Sequence, residues 1–173
     1  GVVRSGVAKP IDSAVLERAN KHRGLAVIFG DGAAAMVLRK SDTPDRGFIG
    51  AELHSDGRFF ENIYVPGVGF RQIPYVTHEL LDDDLHIPHM SGPSLLKKAV
   101  QSLTRTIRSL CKTYGVTQDD VDWFIAHQAN DRINNAVRDT LRIPPEKIPS
   151  NIARYGNTSA ATIGILTDEL RRE

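Results

Sequence analysis

Two short segments carry side chains whose types and placing could do chemistry. His127 stands in His-Gln-Ala-Asn, directly after the apolar run Asp-Trp-Phe-Ile-Ala at residues 122–126. Imidazole is the side chain best suited to donate a hydrogen bond or exchange a proton near neutral pH. Ligands of open α/β sheets gather at the carboxyl ends of strands, and a histidine between a strand and a helix occupies such an end. The ordinary alternative is a histidine that satisfies backbone groups where a strand stops. Asn157 stands in Tyr-Gly-Asn-Thr-Ser-Ala-Ala. Gly156 permits backbone conformations denied to other residues, so a tight turn can aim the asparagine amide. Asn, Thr and Ser are also common helix N-caps, and capping alone would account for this segment.

The elements that must hold these residues follow from pattern. Leu96, Ala99, Val100, Leu103, Ile107, Leu110 and Tyr114 recur at spacings of three and four, which predicts an amphipathic helix with Pro93 in its first turn and Gly115 as its stop. Residues 122–126 read as a short buried strand. Residues 131–141 read as a helix opening after Asn130 and broken before Pro144 and Pro145. A short extended piece is expected around 151–152, then the turn Arg-Tyr-Gly-Asn and a last helix from about Thr158. Upstream, two apolar runs flank Asp31-Gly32, a pairing typical of a hairpin. The alanines and glycines there predict close packing against another layer, where a larger side chain would clash. Residues 40–91 are rich in turn chemistry, with a strand expected at 48–54. Strands alternating with helices point to an α/β layered fold.

Composition narrows the function classes. The chain has 173 residues and a net charge of +1, so bulk charge favours no nucleic acid partner and any electrostatic partner must meet a local patch. Cys111 is the single cysteine, which excludes an internal disulfide framework and fits a reducing, cytoplasmic setting. No run approaches the roughly 18 apolar residues of a membrane span, and residues 1–10 lack a signal-peptide core. His86 and His89 have no third ligand and read as loop residues, so no metal is expected. The acidic run at 82–84 reads as solvated surface.

Ile-Phe-Gly-Asp-Gly-Ala at residues 28–33, His-Gln-Ala-Asn and Gly-Asn-Thr-Ser-Ala occur in the order and approximate spacing of thiolase-superfamily condensing enzymes. The chain resembles the C-terminal half of β-ketoacyl-acyl-carrier-protein synthase III. That resemblance implies an incomplete thiolase-like αβαβα layered fold over residues 1–173. The end of the N-terminal half would lie at about 1–40 and the C-terminal half would run from about 41. The final strands would be missing, and residue 1 would fall near a strand that follows the nucleophile helix.

The resemblance further implies a decarboxylative Claisen condensation of acyl-coenzyme A with malonyl-acyl carrier protein, with no cofactor beyond the thioester substrate. His127 and Asn157 would be two thirds of a Cys-His-Asn constellation whose cysteine lies upstream and outside the chain. The Cys111 thiol does not match that position and reads as a small buried hydrophobe. Arg23 matches an arginine at the nucleotide end of coenzyme A. Gly92 and Asn130 match positions near the pantetheine arm, where Pro93 departs from a commonly polar residue. Lys97 and Arg132 match basic residues for carrier-protein docking, and Lys97, Lys98, Arg105, Arg108 and Lys112 form a basic stripe suited to an acidic partner. Expected partners are acyl carrier protein, acyl-coenzyme A, a second copy in a homodimer, and the missing half or a complementary chain. Alone, the chain is expected to be inactive. Two other roles compete on the same scaffold: an acyltransferase forming an ester or amide, and a non-catalytic partner subunit.

Overall fold

A computed structural model describes residues 12–44 and 46–172. The best-formed part is a helical pair. Helix α3 (Gly92–Tyr114) and α4 (Asp131–Leu141) form where the periodic apolar stripe requires them. Val100, Leu103 and Ile107 of α3 pack, with Phe124, on buried Val137, Leu141, Ile143 and Ile148. Gly115 ends α3 at φ 64°, and its N–H returns to the Cys111 carbonyl, a left-handed cap that glycine adopts without steric cost. Asn130 caps α4 by accepting the Arg132 N–H at 2.9 Å.

Around this pair lie α1 (Ser13–Ala26), the short α2 (His78–Asp82), α5 (Ile152–Tyr155) and α6 (Ala161–Arg172). Asp84 ties α1 to the end of α2: His22 Nε2 lies 2.8 Å and Lys21 Nζ 3.1 Å from its carboxylate. The His22, Lys21 and Arg18 contacts hold the Asp84 carboxyl well below the usual carboxylate range. The described sheet is small, with β1 (Ile63–Tyr64) and β2 (His89–Met90) pairing antiparallel.

Several expected strands take another form. The hairpin about Asp31-Gly32 does not form: α1 runs to Ala26, and residues 31–40 have no regular structure. Residues 48–54 and 122–126 likewise form no ladder among the described residues. A strand exists only where neighbours satisfy its backbone groups; residues 31–40 and 48–54 have no such backbone partner among the described residues, and 122–126 has a single one, the Lys147 carbonyl, which accepts the Phe124 N–H at 2.7 Å. In residues 31–40 and 48–54 apolar side chains consequently stay open, with Val37, Leu38 and Leu53 each more than 90% exposed, whereas Phe124 packs on the core. The extended piece expected at 151–152 is the start of α5. The last helix begins at Ala161 rather than Thr158 because Ser159 takes a left-handed φ of 53°. The strand expected near residue 1 lies outside the described residues.

The close-packing expectation at the glycines holds. A Cβ on Gly30 would strike the Tyr155 carbonyl, one on Gly32 would sit 2.9 Å from Thr158, and one on Gly164 would overlap Ala34. Residues 30–34 therefore lie close against residues 155–164, backbone to backbone at Gly30 and Tyr155.

Candidate active site

The segment after Gly156 is built from its backbone outward. Gly156 has φ 68° and ψ −163°, a conformation open to glycine, and it turns the chain so that Asn157 meets the 28–33 motif. The Asn157 N–H donates to the Ile28 carbonyl at 2.9 Å, and Gly30 N–H donates to the Asn157 carbonyl at 3.1 Å. These two bonds make a parallel bridge between Phe29 and Asn157. The Asn157 side chain is buried, and its Oδ1 accepts the Ser159 N–H at 2.9 Å. With the oxygen so occupied, Nδ2 is the end of the amide left to donate.

His127 reaches the same segment from the other side. Its Nδ1 lies 2.7 Å from Thr162 Oγ1, and Thr162 is 1% exposed. Thr162 Oγ1 also donates to the Ser159 carbonyl at 3.0 Å. Ser159 thus serves both candidates, its N–H holding Asn157 and its carbonyl holding Thr162. Partial burial pushes the His127 pKa below the ordinary imidazole value, because desolvation disfavours the charged ring.

Gln128 fixes the loop that carries His127. It is fully buried, donates from Nε2 to the Ala126 carbonyl at 3.0 Å, and accepts from Ser150 Oγ at 2.9 Å and the Asn151 N–H at 3.3 Å. Glu169 of α6 anchors the other end by accepting from Asn151 Nδ2, Arg154 and Tyr155 Oη at 2.8–3.0 Å. Thr162, Gln128 and Glu169 do not stand out in the sequence. A run of small residues after Asn157 is the only signal for Thr162, and nothing in residue order pairs it with a histidine 35 positions upstream.

The remaining candidates occupy separate elements. Arg23 is exposed in the last turn of α1, Gly92 opens α3, and Asn130 spends its side-chain oxygen on the α4 cap. Among the described residues no hydrogen bond ties any of them to His127 or Asn157. Lys97, Arg105, Arg108, Lys112 and Arg132 are exposed. Lys98 is drawn aside to Asp56 at 3.1 Å and lies 3.9 Å from the Phe59 ring centroid. Cys111 is a free, half-buried thiol on α3. No cluster of three potential metal ligands occurs among the described residues, and no described helix is long and apolar enough to cross a membrane.

The three motifs that meet here are matched by known families. The family described as 3-oxoacyl-[acyl-carrier-protein (ACP)] synthase III matches residues 7–57, and the one described as its C terminal matches residues 111–173. The chain belongs to the 3-oxoacyl-[acyl-carrier-protein] synthase III family. A β-ketoacyl-[acyl-carrier-protein] synthase III of Chlorobium phaeobacteroides is 35% identical over 161 residues, 93% of this chain and 48% of that protein. The protein of the same name from Synechococcus sp. WH7803 is 40% identical over 151 residues, 87% of this chain and 44% of its own length. The crystal structure of β-ketoacyl-[acyl carrier protein] synthase III from Thermus thermophilus superimposes with a TM-score of 0.69 at 28% identity. It covers 91% of this chain and 48% of that one. The fold is therefore the α/β thiolase-like fold of these synthases, present in part. The chain spans about half the length of the curated relatives it matches.

Proposed function

We propose that the chain is the C-terminal part of an acyltransferase that condenses acyl-coenzyme A with malonyl-acyl carrier protein, releasing carbon dioxide. In this reading residues 1–40 close the N-terminal half, the C-terminal half runs from about 41, and the nucleophilic cysteine lies outside the chain. The observation that supports it is the meeting of the family's three motifs. Asn157 is bonded through its backbone to residues 28 and 30, and His127 is bonded to Thr162, five residues after Asn157.

The chemistry asks for groups at a thioester oxygen that gains negative charge when malonyl loses carbon dioxide. Asn157 Nδ2 is an uncharged donor held by its own oxygen, and it suits that task. His127 offers Nε2, the nitrogen Thr162 does not touch, for a hydrogen bond or a proton. Removing one preorganised donor of this kind typically raises the barrier by about 3 kcal/mol. In the same reading Arg23, Gly92 and Asn130 serve coenzyme A and its pantetheine arm, while Lys97 and Arg132 steer an acidic carrier protein. The proposal extends to a cytoplasmic homodimer.

The test is His127→Ala in the full-length protein. Condensation, read as carbon dioxide release and β-ketoacyl product, should be lost while cysteine self-acylation persists at least in part. Unchanged product formation would remove His127 from the reaction. Acyl transfer to a hydroxyl or amine without carbon dioxide release would replace condensation with ester or amide formation.

A further inference from the structure

We propose that Gln128 is a positioning residue that couples the two candidate catalytic groups, its side-chain amide tying the backbone just before His127 to the start of the turn that ends at Asn157. The inference rests on the proposed function, which needs His127 and Asn157 to act together, but its geometry stands apart from the reaction. Gln128 Nε2 donates to the Ala126 carbonyl at 3.0 Å, and Oε1 accepts the Asn151 N–H at 3.3 Å. A backbone N–H can only donate and a carbonyl oxygen can only accept. One orientation of the amide therefore satisfies both contacts. The turned amide would set oxygen against oxygen and N–H against N–H. The Ser150 hydroxyl, 2.9 Å from Oε1, is not needed for that assignment.

The coupling lies in where the two contacts lead. Ala126 immediately precedes His127 in the chain. Asn151 opens α5: its carbonyl accepts the Arg154 and Tyr155 N–H groups, and the Gly156 N–H returns to the Ile152 carbonyl at 2.8 Å. That hydrogen-bonded turn delivers the chain to Asn157. Asn151 is itself buried, and its Nδ2 donates to Glu169 at 2.8 Å. Gln128 is fully buried, so water does not compete for either contact. A side chain enclosed in this way places reacting groups and does not itself react. The effect is large enough to matter, because a misplacement of about 1 Å at a reacting centre can cost about 100-fold in rate.

The experiment is Gln128→Glu in the full-length protein, assayed across pH for acyl loading and for condensation. A protonated carboxyl can donate to Ala126 and accept from Asn151 as the amide does, whereas a carboxylate turns a second acceptor on the Ala126 carbonyl. Burial favours the protonated form. So do the acidic groups behind its neighbours, Asp131 at 2.7 Å from Ser150 Oγ and Glu169 at 2.8 Å from Asn151, and all of these raise the introduced pKa. Condensation relative to the unaltered protein should therefore be about 10–100-fold lower near pH 9 and recover as pH falls toward about 6. Acyl loading should change far less. No deficit near pH 9 would overturn the proposal, and so would a loss shared equally by loading, the mark of general damage. If the variant does not fold, hydrogen exchange of the Gln128 side-chain amide in the unaltered protein decides, read by NMR. Slow exchange is expected, and exchange as fast as that of the exposed Gln101 would overturn the tie. A protein that condensed nothing yet kept this amide protected would sink the proposed function and leave the link between the two segments standing.

Discussion

Phe29 and Asn157 form a parallel bridge, with Asn157 bonded through its N–H to Ile28 and through its carbonyl to Gly30. The position of a candidate catalytic amide is thereby set by the backbone of a segment 128 residues upstream. Side-chain identity at residues 28 and 30 matters less for this than how closely the two backbones approach.

Gly30→Ala tests that approach. The added Cβ would meet the Tyr155 carbonyl, and backbone cannot yield as a flexible side chain does. A loss of about 1–3 kcal/mol, typical of overpacking, is expected in urea unfolding of the chain. Gly24→Ala is the contrast, since it lies within α1 with nothing near its Cβ position. There alanine should add about 0.5–1 kcal/mol through helix propensity. Equal effects at the two positions would contradict the close contact.

Glu169 gives a pH prediction. Its bond from Asn151, aided by Tyr155 and Arg154, depresses its carboxyl below the ordinary value of 4.5. A depressed carboxylate stabilises the fold fully above its unfolded pKa, and that contribution disappears as pH falls through the folded value. The anchor at residues 151–155 should hold at pH 6 and weaken progressively below about 4.5. Glu169→Gln should flatten this acid limb in thermal melts. An unchanged acid limb would show that the three contacts do not order the segment.

Carrier-protein docking is testable through salt. Lys97→Glu and Arg132→Glu place a negative charge on two exposed sites and should slow association with acyl carrier protein in the full-length enzyme. The difference from the original protein should shrink as salt rises, because exposed charges are screened over about 8 Å at physiological ionic strength. A deficit that salt does not alter would point to lost contacts rather than steering.

Helices were legible where one chemical pattern decides them. The α3 stripe, the Gly115 stop, the Asn130 cap and the Pro144-Pro145 break all act within a few residues, and each is present. The strands were not. The segments at 33–38, 48–54 and 122–126 have strand-like composition but form no ladder among the described residues, so pattern alone overstates them. The site divides the same way. His127 and Asn157 were found from residue types in short motifs. The hydroxyl of Thr162 and the strained backbone of Ser159 were not, because hydrogen bonding depends on distances no residue order encodes. Close packing of the glycines was readable, yet its partner, residues 155–164, emerged only from the fold.

The most direct measurement is the intact mass of the full-length protein, first with acyl-coenzyme A and then with malonyl-acyl carrier protein. The account predicts a gain of one acyl group on an upstream cysteine, discharged when malonyl carrier is added, with carbon dioxide released. In His127→Ala the acyl group should load and then remain. No adduct across a range of acyl chains, or discharge as fast in His127→Ala as in the unaltered protein, would contradict the assignment of His127 to a condensing active site.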